Sequence, residues 1–214
     1  MNLNLGDTQL IIKEARLMGL LRNELAYVLA TAYHETAHTM KPVREYGGET
    51  YLKSKKYYPY VGMGYVQLTW DYNYKKASSK LGVDFMKNPR LLLEPKYAVK
   101  ILLVGMKEGW FTGKKLSDYI TLQKSDYLNA RRIINGVDRA KDISDLAVVY
   151  ENDLKLSGYG ATIVDVPTEK PVESVVVPKA PDVPVVVEPS STTSVGGLLG
   201  ILINFITSLF GAKK

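Results

Sequence analysis

The sequence contains no cysteine and only two histidines, His34 and His38. The lack of cysteine excludes a disulfide framework, a thiolate metal site and a cysteine nucleophile. No run of lysine and arginine is long enough to indicate nucleic acid, and we expect no nucleic-acid partner. The first twenty residues have charges where a signal peptide needs an apolar core, and no small-residue cleavage site follows. We therefore expect no signal peptide, and export or release by another component.

Positive charge and tyrosine are both abundant. The formal net charge is +6, and residues 1–160 account for it, with 24 Lys and Arg against 17 Asp and Glu. Such a surface attracts polyanions, including nucleic acid, anionic lipid and bacterial cell wall. Fifteen tyrosines stand beside four phenylalanines. Because tyrosine combines an apolar ring with a polar hydroxyl, this excess suits a hydrated binding surface such as a sugar cleft.

Composition divides the chain into three regions. Residues 1–160 have the mixed composition of a globular catalytic domain, which we expect to be monomeric. Residues 161–194 hold six of the ten prolines, which predicts an extended linker. Residues 195–214 end the chain, and residues 195–212 are uncharged and predict an apolar helix. Three interpretations of this helix stay open: an interfacial helix, a membrane anchor, or a segment that docks on a virion or membrane-protein partner.

The globular region has mainly helical periodicity. Asp7 and Asn23 are candidate N-caps for the first two helices, and Asp142 is a candidate cap for the last. A stretch rich in glycine and tyrosine, residues 41–65, predicts loops or a short β-hairpin. Further helices are predicted at 69–81, 95–108, 126–135 and 142–156.

The stretch AYHETAHT contains both histidines in a His-Glu-x-x-His pattern, residues 34–38. On a helix, His34 and His38 would lie one turn apart and could hold zinc, with Glu35 as the general base of a peptidase. No third histidine exists, so the remaining ligand would have to be Asp or Glu. The zinc peptidase is therefore the weaker interpretation, and we expect no metal and no cofactor.

A second interpretation makes Glu35 one of two carboxyl groups that hydrolyse a glycosidic bond. Glu35 follows an apolar helix, where we expect desolvation to raise its pKa as a general acid requires. Glu45 and Glu49 lie on the loop or hairpin that follows. A loop carboxylate facing a helical one suits the wider, inverting geometry, and spacing alone leaves both glutamates open as the partner of Glu35.

Several segments, in order along the chain, resemble glycoside hydrolase family 19, the chitinase-like lysozymes. The resemblance covers residues 8 to about 156, and its motifs are AYVLATAYHETAHTMKPVREY, YYPYVGMGYVQLTWDYNYKKA, LGVDFMKNPRLLLEPKYAVKI, GWFTGKKLSDYI and RRIINGVDRA. It implies a mainly α, lysozyme-like α+β fold with a small β-hairpin lobe beside the cleft. It also implies single-displacement hydrolysis with inversion.

The resemblance implies roles for individual residues. Glu35 becomes the general acid and Glu45 the base, with Glu49 as its rival. Thr69, and by the phage pattern Thr50, would position the attacking water. The candidate substrate-binding residues are His34, Gln67, Trp70, Asn73, Tyr74, Asn135 and Arg139.

Structural alternatives stay open for several of these residues. Gln67 and Asn135 can serve as buried amides that bond loop backbone, and Trp70 and Tyr74 can serve as core aromatics. Arg132 and Arg139 can be surface charges.

The absence of cysteine and of a predicted leader, together with the basic charge, favours a phage endolysin acting on bacterial peptidoglycan. We expect it in the host cytoplasm before lysis, or bound to a virion or membrane, and active on the periplasmic cell wall. Membrane lipid would be contacted through residues 195–212. The alternatives are a chitinase, the zinc peptidase, and a wall-binding module without catalysis.

Overall fold

The computed structural model describes residues 1–160. The predicted linker at 161–194 and the predicted apolar helix at 195–214 lie outside the described residues. Within residues 1–160 the chain forms seven α-helices and one two-stranded antiparallel hairpin. The helices are α1 (Thr8–Leu17), α2 (Arg22–Glu35), α3 (Glu49–Lys53), α4 (Asp71–Leu81), α5 (Pro95–Glu108), α6 (Tyr127–Ala130) and α7 (Ala140–Leu156). The strands are β1 (Val43–Arg44) and β2 (Met63–Gly64), and 3-10 turns occur at Pro89–Leu93, Leu116–Asp118 and Arg131–Ile133.

The centre of the domain is α2. All residues from Leu25 to Ala32 are buried, so this helix has no solvent-facing side along its middle. A helix that is apolar all round must be covered by other elements. The most extensive cover comes from α7, and α1 and α5 also pack against α2. Because α2 is enclosed in this way, the side chains at its carboxyl end have rigid surroundings.

The hairpin lies directly after this central helix in the chain. Val43 pairs with Gly64, and Arg44 pairs with Met63, in antiparallel register. A further bridge between Met63 and Leu68 extends the pairing into a tight turn. The architecture is that of a lysozyme-like, mainly α fold with a small β-hairpin, which confirms the predicted fold class.

Three predicted caps are wrong in detail. Asp7 precedes α1 as predicted, but its carboxylate accepts a hydrogen bond from the Tyr65 hydroxyl at 2.7 Å instead of capping the helix. Helix α2 begins at Arg22, before Asn23, and its first turn is closed by the Glu24 carboxylate, which accepts from the Leu21 amide. Helix α7 begins two residues before Asp142, which instead accepts from Arg139.

The predicted helices at 69–81 and 95–108 are confirmed as α4 and α5. The predicted helix at 126–135 forms as the short α6 followed by a 3-10 turn. The stretch 41–65 contains the predicted hairpin but also α3, which begins at Glu49. Within residues 1–160, no helix combines the length and the apolarity needed to cross a membrane.

Candidate active site

Glu35 is the last residue of α2, and the chain turns away immediately after it. Thr36 ends the helix with its hydroxyl, which donates to the Ala32 carbonyl and accepts from the Met40 amide. Ala37, His38 and Met40 all have positive φ. These conformations are uncommon outside glycine and form a compact turn that the Thr36 hydrogen bonds stabilise. The turn therefore takes the chain from the buried helix to the hairpin within a few residues.

A buried arginine holds the Glu35 carboxylate. Nη1 of Arg131 donates to Oε1 of Glu35 at 2.7 Å, and the two side chains are only 1% and 2% exposed. Nε of Arg131 donates to the Asp138 carbonyl at 3.0 Å. Because a guanidinium presents several donors in one plane, it can bind the glutamate and the loop carbonyl together. Arg131 therefore joins the 3-10 turn after α6 to the end of α2.

Arg131 was missed among the candidate site residues, which included Arg139 from the same motif. The signal was present as two adjacent arginines in RRIING. Arg131 is buried and Arg132 is exposed, a difference that follows from which of the two faces α2. The sequence shows the pair of arginines but not which one points inward.

His34, Arg139 and Asn135 lie around this ion pair. His34 is buried, and burial lowers the pKa of its imidazole below the usual 6.5. The positive charges of Arg131 and Arg139 lower this pKa further, whereas the negative charge of Glu35 raises it. Arg139 is half-exposed and donates to Asp142 at 3.2 Å. The Asn135 backbone N–H donates to the Arg131 carbonyl, four residues earlier in the chain. His34 and Arg139 are thus close enough to the ion pair for their charges to interact, and Asn135 follows Arg131 by one turn.

The geometry does not favour the alternative in which His34 and His38 bind zinc as a pair. His38 lies three residues beyond the end of α2 with φ of 68°, so it does not lie on the helical face that carries His34. Its exposed ring stacks on Tyr33, with ring centroids 4.4 Å apart. Within the described part of the chain, no three His, Asp or Glu side chains come together as a metal-binding group.

Glu45 follows β1 and is buried inside the hairpin lobe. Its side chain accepts from the Tyr57 hydroxyl at 2.5 Å and from the Gly62 amide at 3.0 Å, one oxygen for each donor. Its own amide donates to the Gly62 carbonyl at 2.7 Å. Burial, and then the hydrogen bond to Glu45, raise the pKa of Tyr57 well above its usual value. The Tyr57 hydroxyl therefore keeps its proton and remains a donor to Glu45.

Glu49 occupies a different environment from Glu45. It is the first residue of α3, its side chain is 57% exposed, and it pairs with Arg44 at 2.7 Å. A carboxylate in such a surface pair is solvated and weakly held. Of the two glutamates that spacing left open, Glu45 is the buried one with two directed donors.

Thr69 and Gln67 lie against the backbone that holds Glu45. A Cβ added to Gly62 would lie 2.8 Å from Oε1 of Gln67 and 3.3 Å from the Thr69 hydroxyl. The Thr69 hydroxyl donates to the Gln67 carbonyl, and the Gln67 amide donates to the Val43 carbonyl. A side chain at Gly62 would displace the Gln67 amide and press on the Thr69 hydroxyl, so both residues lie directly beside the backbone that bonds Glu45.

Asn73 and Thr50 are two further predicted site residues. Asn73 donates its side-chain amide to the Thr69 carbonyl at 2.8 Å. The Gln67 bond to Val43 matches the alternative in which that amide bonds loop backbone, and Asn73 makes a bond of the same kind. Thr50, on α3 next to Glu49, is exposed, and its predicted role in positioning water stays a prediction.

Of the two aromatic residues predicted to bind sugar, Trp70 is partly exposed and Tyr74 lies in the core. Trp70 is half-buried, with its ring 5.4 Å from Tyr57 edge-on and 6.1 Å from Tyr72 in a stacked arrangement. Tyr74 is completely buried, and its hydroxyl donates to the Val61 carbonyl. The predicted sugar contact of Tyr74 is therefore wrong, because no face of its ring reaches solvent. Tyr72, which was not predicted, is 58% exposed beside Trp70.

The chain is 31% identical over 124 residues to an acidic endochitinase of Dioscorea japonica, covering 54% of this chain and 47% of that protein. It is 36% identical over 80 residues to an endochitinase of Arabidopsis thaliana, covering 33% of this chain and 30% of that protein. No family model matches the chain, and no solved structure matches it significantly.

The chain thus spans about half or less of the length of the curated relatives that it matches. The similarity in sequence is accompanied by a mainly helical domain in which two buried glutamates occupy the end of the central helix and the adjoining hairpin. Part of this chain is therefore similar to part of two plant endochitinases.

Proposed function

We propose that this protein is a chitinase-like glycoside hydrolase, related to family 19, that cleaves the β-1,4 glycan backbone of bacterial peptidoglycan. The observation that carries the proposal is the pair of buried carboxylates on adjoining elements, Glu35 held by Arg131 and Glu45 held by Tyr57 and Gly62. Glycosidic hydrolysis needs two carboxyl groups with different environments. The similarity to two endochitinases supports the same class of reaction.

In the proposed mechanism the two glutamates act on opposite faces of one sugar. Glu35 acts in the form in which its carboxyl group is protonated, and it gives that proton to the leaving glycosidic oxygen as the bond to the anomeric carbon breaks. Glu45 takes a proton from a water molecule whose oxygen attacks that carbon from the other side. The product has inverted configuration, and the water requires about 6.5–9.5 Å between the two carboxyl groups.

The surrounding residues restrict how these groups can move. Arg131 orients Glu35 from one side, and the Tyr57 hydroxyl and Gly62 amide fix both oxygens of Glu45. A base held by directed hydrogen bonds loses little freedom when the transition state forms. In this proposal the Thr69 hydroxyl, which lies beside Gly62, contacts the attacking water.

The charge of the chain supports peptidoglycan over chitin. Chitin carries no charge, whereas the peptides of peptidoglycan carry carboxylates, and the described region has 24 basic against 17 acidic residues.

The proposal includes a role in lysis as a phage endolysin, with residues 195–212 contacting membrane lipid. Flotation of the intact chain and of residues 1–194 with anionic liposomes tests this part, and equal behaviour of the two would exclude it.

The central experiment digests purified peptidoglycan with the full-length protein and analyses the fragments by mass spectrometry. We expect new reducing ends at one type of sugar, activity that resists EDTA, and loss of activity in Glu35→Gln. His38→Ala is the matched control, because this exposed residue lies near Glu35 but contacts Tyr33 instead. Release of amino groups, or inhibition by EDTA, would indicate a peptidase or amidase. Binding without any cleavage would indicate a wall-binding module.

A further inference from the structure

The segment from residue 41 to residue 60, which forms most of the hairpin lobe, has an unbalanced positive charge. It contains five basic and two acidic residues, a net charge of +3. The acidic residues do not neutralise its lysines, because Glu45 is buried on Tyr57 and Gly62, and Glu49 pairs with Arg44.

Lys53, Lys55 and Lys56 form what we call the lysine lip. None of them takes part in any ion pair between residues 1 and 160. Lys53 and Lys56 are exposed, and Lys55 is half-buried. Within the described part of the chain, three lysines of one four-residue stretch therefore have no ion-pair partner.

Contacts link the lysine lip to the neighbourhood of Glu45. Nζ of Lys55 lies 3.9 Å from the centroid of the Tyr51 ring, a distance at which a cation is attracted to the ring face. The Tyr51 ring in turn packs on Gly47, where an added Cβ would lie 2.5 Å from the ring. Gly47 is two residues from Glu45. Lys55 is thus positioned by an aromatic ring that packs on the chain beside the buried carboxylate.

A second link runs through the backbone. Lys56 immediately precedes Tyr57, whose hydroxyl donates to Glu45. The lysine lip therefore belongs to the same segment as Tyr51, which packs on Gly47, and Tyr57, which bonds Glu45.

We propose that the lysine lip binds the carboxylates of an acidic β-1,4 glycan and selects peptidoglycan over neutral chitin. The inference rests on the proposed function and names the feature of the substrate that this site recognises. Lysine suits the task because its ammonium acts as a point charge on a flexible stem, able to meet peptide carboxylates in varied positions. The location beside Glu45 favours a charged group on the substrate itself over a separate polyanion.

The test compares Lys53→Gln/Lys55→Gln/Lys56→Gln with a control that loses the same charge elsewhere. The control, Lys13→Gln/Lys100→Gln/Lys155→Gln, changes three exposed lysines on α1, α5 and α7. Each full-length protein is assayed on purified peptidoglycan and on the same preparation after its carboxylates are amidated. Binding to both materials is measured in parallel by sedimentation in a Glu35→Gln background, which needs no cleavage.

We expect the wild-type protein to have a KM about tenfold lower on native than on amidated peptidoglycan, because exposed ion pairs each contribute modestly. The lysine-lip variant should lose this difference with kcat unchanged, the control should keep it, and high salt should reduce it. The inference is wrong if the variant keeps the wild-type preference, or if it weakens activity equally on both substrates. A preference that follows wall phosphate instead of carboxylate would also overturn it.

The two proposals fail in distinguishable ways. Carboxylate-dependent binding through the lysine lip without any cleavage would refute the hydrolase and keep the inference. Cleavage that is insensitive to the lysine substitutions would refute the inference and keep the hydrolase.

Discussion

Replacing Arg131 by methionine should destabilise the domain more than any other single change to a charged residue near the site. The substitution keeps an unbranched apolar stem and removes the guanidinium with its charge. It leaves the Glu35 carboxylate, 2% exposed, without the guanidinium that bonds it at 2.7 Å. It also removes the donor to the Asp138 carbonyl.

The expected loss in the free energy of unfolding follows from the burial of the Arg131–Glu35 ion pair. Removing one partner of a buried ion pair costs about 3–5 kcal/mol, because the remaining charge has no compensation. With a urea m-value of about 2 kcal/mol/M, the unfolding midpoint should fall by roughly 1.5–2.5 M. Glu35→Gln should cost less, about 1–3 kcal/mol, since the amide oxygen can still accept from Arg131.

The assay is urea unfolding of the full chain at pH 7, followed by tryptophan fluorescence. Both tryptophans, Trp70 and Trp110, lie in the described domain, so the signal reports on it. Arg132→Met is the matched control, because Arg132 is exposed and its replacement should stay within about 0.5 kcal/mol. The double variant Arg131→Met/Glu35→Gln should be more stable than the sum of the single losses predicts. A loss below about 1 kcal/mol for Arg131→Met, or strictly additive losses, would refute the buried-pair argument.

Three further predictions concern Glu45, Tyr57 and His34. Glu45→Gln should lower kcat on peptidoglycan by about 100-fold or more, and Glu49→Gln should leave it within about twofold, so the opposite order would reverse their assignment. Tyr57→Phe should lower the free energy of unfolding by about 1.5–3 kcal/mol in the urea assay, because a hydrogen bond to a buried carboxylate is lost; an unchanged midpoint would contradict this. The pKa of His34 is lowered in the folded state, so the unfolded state binds the proton more tightly and stability should fall as the pH drops below about 6.5. His34→Gln should remove that part of the decline between pH 7 and 5, at most about 1.4 kcal/mol per pH unit, and a pH profile identical to that of the wild type would count against it.

Much of the fold follows from local sequence. The helices α4 and α5 are predicted because their apolar spacing and flanking residues agree, and Gly82 and Gly109 end both helices in the left-handed conformation. The helix caps are predicted less well. Asp7 and Asn23 are good capping residues by type, yet one bonds Tyr65, and the side chain of the other reaches residue 121 through its amide. Long-range partners compete for the same polar groups, and local sequence does not contain them.

In the candidate site, too, some features follow from the sequence and others only from the tertiary structure. By itself the sequence determined the types of residue and their order: an apolar helix ending at Glu35, a turn, and a hairpin segment with two glutamates. Only the tertiary structure decided that Arg131, 96 residues away, meets Glu35, and that Glu45 is enclosed while Glu49 faces solvent. It also decided that His38 leaves the helix and that Tyr74 belongs to the core. The physical reason is that burial and pairing depend on which elements pack together, whereas spacing along the chain specifies only what each element can offer.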